Sequence, residues 1–356
     1  MRLTLTIERR QTGSESFVKN ETILSVKGLK TEFVLDEGTA KAVDGVSFQV
    51  DPGQVVGLVG ESGCGKSVTI KSIMGIIQKP GKVVEGRIFF RPKQGENLVD
   101  LRSYDSRGEE MRNIRGNEIA LIPQEPMAAL SPVHTIGNQL IEAIRLHRNI
   151  SKKQAEKVAV ERMRQVGVPS PEERMDVYSW QLSGGLRQRV MIAMALMCDP
   201  RLLIADEPTT AIDVTTQAQV LSLLRELQSA QDLAMIFITH DLGVVAQIAD
   251  YVVVMYLGKV MEQGPVDDIF HSPCHPYTKA LLASIPTIHT PAREELPTIG
   301  GSLPHPFNRP TGCPFYPRCT AFIPGTCDKT PPTVTHISAK HSVSCFLHSV
   351  NVVDTQ

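Results

Sequence analysis

The chain alternates between two patterns of apolar and polar positions, and each predicts its own kind of element. Residues 23–27 and 43–50 run apolar, polar, apolar, polar, the period of strands with one buried face. Residues 54–59 form a short β-branched run of the kind buried on both faces of a parallel sheet. That run ends in a glycine-rich turn, after which residues 66–74 read as a helix. From about Ile119 to Trp180 the pattern changes to helices and loops, with residues 151–166 a charged amphipathic stretch. Strand-like runs return at 202–205 and 234–238, separated by a helix over about 214–229. The expected class is α/β, a core built on a parallel or mixed sheet with a helical subdomain inserted at about 119–185.

Beyond Gly264 the texture changes. Pro265, Pro273 and Pro276 lead into a short helix at 277–284, and Pro297, Gly300, Gly301, Pro304, Pro306 and Pro310 mark a linker into a small module from about residue 300. The organisation read from the chain is a polar, frayed segment at 1–21, a nucleotide-binding domain at 22–272 and an extension at 273–356. No internal repeat is visible, so one such domain is expected.

Composition narrows the class. The 356 residues are 42% apolar and 21% charged, with a formal net charge of -1, so no basic footprint for nucleic acid is present. The best apolar run, residues 190–197, is far short of the ~20 residues a membrane-spanning helix needs. The opening MRLTLTIERR has no signal-peptide core. The expectation is a chain on the cytoplasmic side that meets a membrane only through partners.

Two motifs together point to nucleotide chemistry. Gly60, Glu61, Ser62, Gly63, Cys64, Gly65, Lys66 and Ser67 match G-x-x-x-x-G-K-[ST] between a predicted strand and a predicted helix, with Val68 next. Glycines there let backbone N–H groups turn toward phosphates at the positive end of the helix. Lys66 can reach the β- and γ-phosphates, and the Ser67 hydroxyl can ligate Mg²⁺. The run 202–205 then delivers Asp206, a candidate Mg²⁺ holder, and Glu207, placed to orient or deprotonate a water. An apolar run ending in two acids says little alone. Downstream of a phosphate loop it completes a nucleotide-and-metal site.

Leu182-Ser183-Gly184-Gly185, followed by Leu186-Arg187-Gln188-Arg189, resembles the signature of ATP-binding-cassette (ABC) ATPases, a branch of the P-loop NTPases. Physically it is a helix start offering N–H groups to an anion, and Ser183 is also a plain N-cap. The resemblance implies that this turn contacts ATP held by an opposite cassette. It also identifies Gln124 as the glutamine of a loop touching Mg²⁺ or water, Asp213 as part of the loop after Glu207, and His240 as the switch histidine facing the γ-phosphate. Phe33 is either an aromatic for adenine stacking or ordinary core. Residues 187–196, 206–215 and 274–282 are similar to the D-type ATPase subunit of dipeptide and oligopeptide importers. Two departures stand out, Leu186 for the usual Gln or Met and Ile212 for the usual Leu.

That family implies ATP and Mg²⁺, two integral-membrane permease subunits, a second and related ATPase subunit, and an extracytoplasmic solute-binding protein reached through the permeases. Residues 127–139 are its expected docking surface, on the cytoplasmic face of the membrane. The implied cargo is peptides, with nickel, opines or oligosaccharides as alternatives within the class and a DNA-associated ATPase as a remote one. Four cysteines crowd the extension, Cys313, Cys319, Cys327 and Cys345, spaced C-x5-C-x7-C-x17-C. Four thiolates can hold zinc or an iron–sulfur cluster, or remain unligated; the family resemblance implies a [4Fe-4S] cluster. A structural staple and a redox role both remain open.

Overall fold

The computed structural model describes residues 22–93, 97–125, 129–210, 213–285, 299–305 and 307–349. Residues 1–21, expected to be frayed, and Ile212, Met127, Pro297 and Pro306 lie outside the described residues.

The strands, in chain order, are β1 (Leu24–Leu35), β2 (Gly38–Val50), β3 (Val55–Val59), β4 (Gly81–Phe90), β5 (Val99–Asp100), β6 (Ile119–Ile122), β7 (Leu202–Asp206), β8 (Ala234–Ile238), β9 (Tyr251–Tyr256), β10 (Lys259–Pro265), β11 (Thr335–His336) and β12 (Ser342–Val343). They form two sheets. An antiparallel sheet runs β2-β1-β4-β5, and a mixed sheet runs β11-β12-β10-β9-β3-β8-β7-β6. In the mixed sheet β9, β3, β8, β7 and β6 are parallel neighbours, and β10, β12 and β11 add antiparallel strands at one edge.

The apolar runs are continuous because the central strands are covered on both faces. On β7, Leu203 and Ala205 pack with the helical side while Leu202 and Ile204 pack toward the antiparallel sheet. On β8, Met235 and Phe237 face the first layer, and Ala234, Ile236 and Ile238 the second. Truncating fully buried Phe237 to Ala would cost about 3–5 kcal/mol.

The helical layer is capped as its sequence foretells. Ser151 and Gln154 close a capping box at the start of the Lys152–Gln165 helix, and Ala155, Ala159 and Met163 form its buried stripe. The structure adds strands β4, β9 and β10 to those read from the sequence, and it corrects one element. Residues 119–122 are not the start of the helical stretch but strand β6, paired in parallel with β7, so the helices begin beyond it. Four apolar residues fit a helix or a strand equally well in isolation, and pairing with β7 decides.

The extension is tied to the core by strand addition. β12 pairs with β10 through Glu262–Val343 and Gln263–Ser342. Phe315 packs among Tyr256, Tyr277 and His275, with ring centroids 5.3, 5.2 and 5.8 Å away.

Candidate nucleotide site

Four adjacent parallel strands end at one place. Beyond β3 stands Gly60, beyond β6 Gln124, at the end of β7 Asp206 and Glu207, and beyond β8 His240. Ligand sites of open α/β sheets lie at such carboxyl ends.

The loop from β3 to the Lys66–Ile73 helix is shaped by glycine. Gly60 has φ 146°, and a Cβ there would overlap the Met255 carbonyl oxygen. Gly65 has φ 101°, and a Cβ there would overlap the Ala42 carbonyl oxygen. No L side chain fits either place without moving backbone. Gly65 also leaves the helix start without a side-chain cap, the kind of helix end that suits an anion. Lys66 is buried, its Nζ donating to Gly60 O at 2.7 Å and Glu61 O at 3.1 Å. Cys64 is buried too, and burial pushes its thiol pKa up, which makes it a packing residue rather than a nucleophile.

Ser67 Oγ donates to Asp206 Oδ1 at 3.3 Å, joining the two motifs across the sheet. Burial raises the Asp206 pKa; the Ser67 hydroxyl pulls it down, and the neighbouring Glu207 charge pushes it up. Glu207 stands in the left-handed region, φ 48°, with its N–H donating to Ile238 O on β8. Its carboxylate is a meeting point. Gln124 Nε2 donates to Oε2 at 2.9 Å, Thr210 Oγ1 donates to the same oxygen at 3.1 Å, and His240 Nδ1 lies 3.4 Å from Oε1. Glu207 is mostly shielded, whereas His240 is largely exposed. This cluster can hold a water against the carboxylate and offer an imidazole beside it.

The signature residues form a second patch. Ser183 caps the Gly184–Ala195 helix, accepting from Leu186 N at 3.4 Å. Nothing lies within 4 Å of where a Gly184 Cβ would stand. A Cβ on Gly185 would meet Thr216 Cγ2 at 2.9 Å. Thr216 in turn is bound by Asp213, which accepts from its N–H at 3.0 Å and its hydroxyl at 2.6 Å. Those bonds also lower the Asp213 pKa. Ser183, Gly185 and Asp213 therefore belong to one surface around two helix starts, apart from the Lys66 cluster in their contacts. Phe33 is half-buried on β1 between Ala40 and Gly81, its ring occupying the space a Gly81 side chain would take.

Two groups without a motif also reach the phosphate loop. Glu61 N–H donates to Tyr277 Oη at 2.9 Å, and the Glu61 carboxylate is gripped by Arg318. They lie 216 and 257 residues along the chain from Glu61, so no local spacing announces them.

Of the four module cysteines, Cys313, Cys327 and Cys345 are buried and Cys319 half-buried. Burial raises the Cys313 thiol to about 11, with the other three sulfurs adding in the same direction. Among the described residues, the one trio of His, Cys, Asp or Glu ligand atoms all within 4.8 Å of one another is Glu262, Cys274 and His341. No three of the four module sulfurs are that close. Among the described residues, no helix is long and apolar enough to cross a membrane.

The architecture and the motifs have known counterparts. A dimeric bacterial ABC transporter cassette, MJ0796, matches with a TM-score of 0.59 and 25% identity over 68% of this chain and 99% of that one. The dipeptide transport ATP-binding protein DppD of Bacillus subtilis is 49% identical over 328 residues, 92% of this chain and 95% of the relative. The oligopeptide transport ATP-binding protein AppD of the same organism is 48% identical over 92% of this chain and 97% of its own. The ABC transporter family model matches residues 43–210, spanning the phosphate loop, Gln124, the signature turn and Glu207. A second model, the oligopeptide/dipeptide transporter C-terminal region, matches residues 261–327 and takes in three of the four cysteines. A site built from four strand ends, a signature turn on a separate surface, and these two matches in sequence place the chain in the ABC transporter family as an ATP-hydrolysing subunit of its oligopeptide/dipeptide branch.

Proposed function

We propose that this subunit powers uptake of dipeptides or oligopeptides through a membrane-embedded permease. The observation that carries the ATPase mechanism is the convergence of Gln124, Thr210 and His240 on Glu207, beside the Ser67–Asp206 pair. The names of the peptide-transport relatives, similar along nearly the whole chain, carry the substrate class.

In this reading the turn 60–67, with Val68 behind it, binds the phosphates through backbone N–H groups and Lys66. Ser67, Asp206 and Gln124 would hold Mg²⁺, which would supply charge neutralisation to the bound phosphates. The residues fit that ion, because Asp206 is a buried carboxylate with one long hydroxyl bond to satisfy it. Glu207 accepts a proton from the attacking water, Gln124 and Thr210 hold its carboxylate, and His240 faces the γ-phosphate as charge develops. Phe33 contributes the adenine stack. Ser183, Gly184 and Gly185, with Asp213 bracing the same surface, close over ATP held by a second, related ATPase subunit. Closure drives two permease subunits, docked near residues 127–139, to accept cargo from an extracytoplasmic binding protein; hydrolysis resets the pair. The subunit sits peripherally on the inner face of the membrane.

The four cysteines of the extension would, as thiolates, suit an iron–sulfur cluster, the reading the importer resemblance favours, with zinc as the alternative. Cys313, Cys319, Cys327 and Cys345 would hold it, and it would brace a segment poor in apolar residues.

The test is ATPase activity of the subunit assembled with its permeases, stimulated by binding protein loaded in turn with peptides, oligosaccharides or nickel. Peptide-specific stimulation, lost by about 10²–10⁴-fold in Glu207→Gln while ATP binding persists, is the expected result. Stimulation by nickel or oligosaccharide alone would overturn the peptide assignment. Full activity in Glu207→Gln would overturn the role of that carboxylate.

A further inference from the structure

Glu61 is an unexpected residue in a loop built to hold an anion. Its carboxylate is only about one quarter exposed, and an unpaired negative charge there would repel a polyphosphate. Arg318 meets it with a two-pronged ion pair, Nη1 to Oε2 at 2.7 Å and Nη2 to Oε1 at 2.9 Å. The guanidinium has no donor to spare. Its Nε donates to Gly300 O at 2.9 Å, Nη2 also to Ile299 O at 3.1 Å, and Nη1 also to Tyr256 Oη at 3.3 Å. Its side chain is 5% exposed, so the fork is fixed in one orientation.

The same glutamate is held at its backbone. Tyr277 Oη takes its N–H, and Lys66 Nζ donates to its carbonyl as well as to that of Gly60. Whatever fixes Glu61 therefore fixes the carbonyls on which the Lys66 ammonium rests. Arg318 itself closes a tight turn. Tyr316 N bonds to Cys313 O, Arg318 N to Phe315 O, and Cys319 N to Tyr316 O, so the turn is bounded by a thiol at each end. Leu303, from the neighbouring segment, reaches Gly63 at the loop's tip, 3.8 Å from where a Cβ would stand.

We propose that Arg318 is a positioning residue for nucleotide binding: it neutralises Glu61 and pins the phosphate loop, so that the C-terminal cysteine module sets the subunit's affinity for ATP. This rests on residues 60–67 being the phosphate loop. The function follows from charge as much as from packing. Without the guanidinium, a carboxylate stands beside the phosphates and the loop is released from the module.

The experiment measures Mg–ATP affinity by equilibrium titration, together with KM and kcat, on the transporter assembled with its permeases. Arg318→Met keeps the apolar stem and removes the charge. It is expected to raise Kd and KM for ATP by about 10-fold while kcat at saturating ATP stays within about two-fold, less than the cost of stranding a fully buried charge because Glu61 keeps about a quarter of its surface in water. Arg318→Lys, a single-point cation, should lie between wild type and Arg318→Met. The deciding variant is Arg318→Met combined with Glu61→Gln, which removes the stranded negative charge. Its affinity should return to within about three-fold of wild type, a rescue that a purely structural staple would not show. Unchanged Kd in Arg318→Met, or a double variant as weak as the single one, overturns the proposal. Lys66→Ala tests the underlying assignment separately. If it binds ATP like wild type, the phosphate-loop reading itself fails, whatever Arg318 does.

Discussion

Asp206 and Glu262 are both buried acids on the central sheet, and their surroundings are opposite. Asp206 ends β7 with a single hydroxyl donor at 3.3 Å, and burial leaves its charged form disfavoured. Glu262 lies on β10, fully buried, and accepts from three groups. These are Cys274 N at 2.6 Å, His275 N at 2.9 Å and His341 Nε2 at 2.8 Å. An acid left short of donors is poised for a cation; an acid with every oxygen engaged holds a fold together. The Glu262–Cys274–His341 trio is thus read as a structural knot. A metal there would have to displace bonds that already join the start of the extension, Cys274 and His275, to its end, His341.

Three measurements put this contrast at risk. The largest effect belongs to Glu262. Replacing it by Ala strands two N–H groups and a histidine in the interior, with an expected cost of about 3–5 kcal/mol. Thermal unfolding of the subunit should show it, while ATP affinity of the remaining folded protein changes little. A Glu262→Ala protein as stable as wild type would remove the knot from the account. Asp206→Asn should do the reverse. The fold is expected to be at least as stable, since a poorly satisfied charge is gone. The Mg²⁺ needed for half-maximal hydrolysis should rise by about 10–100-fold, the range for losing a supporting ligand contact. Loss of stability without a change in Mg²⁺ dependence would reverse the assignment.

The smallest effect is a pH response next to the knot. His275 is buried, accepts from Tyr277 N through Nδ1, and leaves Nε2 without a partner. Burial, reinforced by nearby His348, depresses its pKa from 6.5 to about 3. The unfolded chain takes up the proton first as pH falls, so this stability is fully present above about pH 6.5 and lost toward pH 3. Between pH 7 and pH 5 the loss should be about 2 kcal/mol. Urea unfolding at the two pH values checks it, and His275→Gln should flatten that part of the profile. Equal pH dependence in both proteins would assign the effect elsewhere.

The two regions also differ in how far the sequence exposes them. The candidate site was legible because its parts are contiguous. A strand, a glycine-rich turn and a lysine at a helix start carry their geometry in local spacing, and so do Asp206 and Glu207 at a strand end. Ser183 was read as a cap, and it caps. The resemblance named Gln124 and His240 but not their meeting, with Thr210, on the Glu207 carboxylate, since strand order is a tertiary fact. β6 escaped notice because four apolar residues carry no period of their own. The extension was legible as a cysteine module but not as a neighbour of the phosphate loop. Nothing near Arg318 or Tyr277 says that Glu61 lies beside them, because β10 and the aromatic packing around Phe315 bring them there.

The Glu61–Arg318 pair has a bearing on how the molecule is made. It joins residues 257 apart, so the loop is synthesised well before its partner. At about 5–20 residues per second, roughly 13–50 s separate the two halves. In the order of synthesis Glu61 therefore precedes its counter-charge, and the pairing closes only after Arg318 has been added.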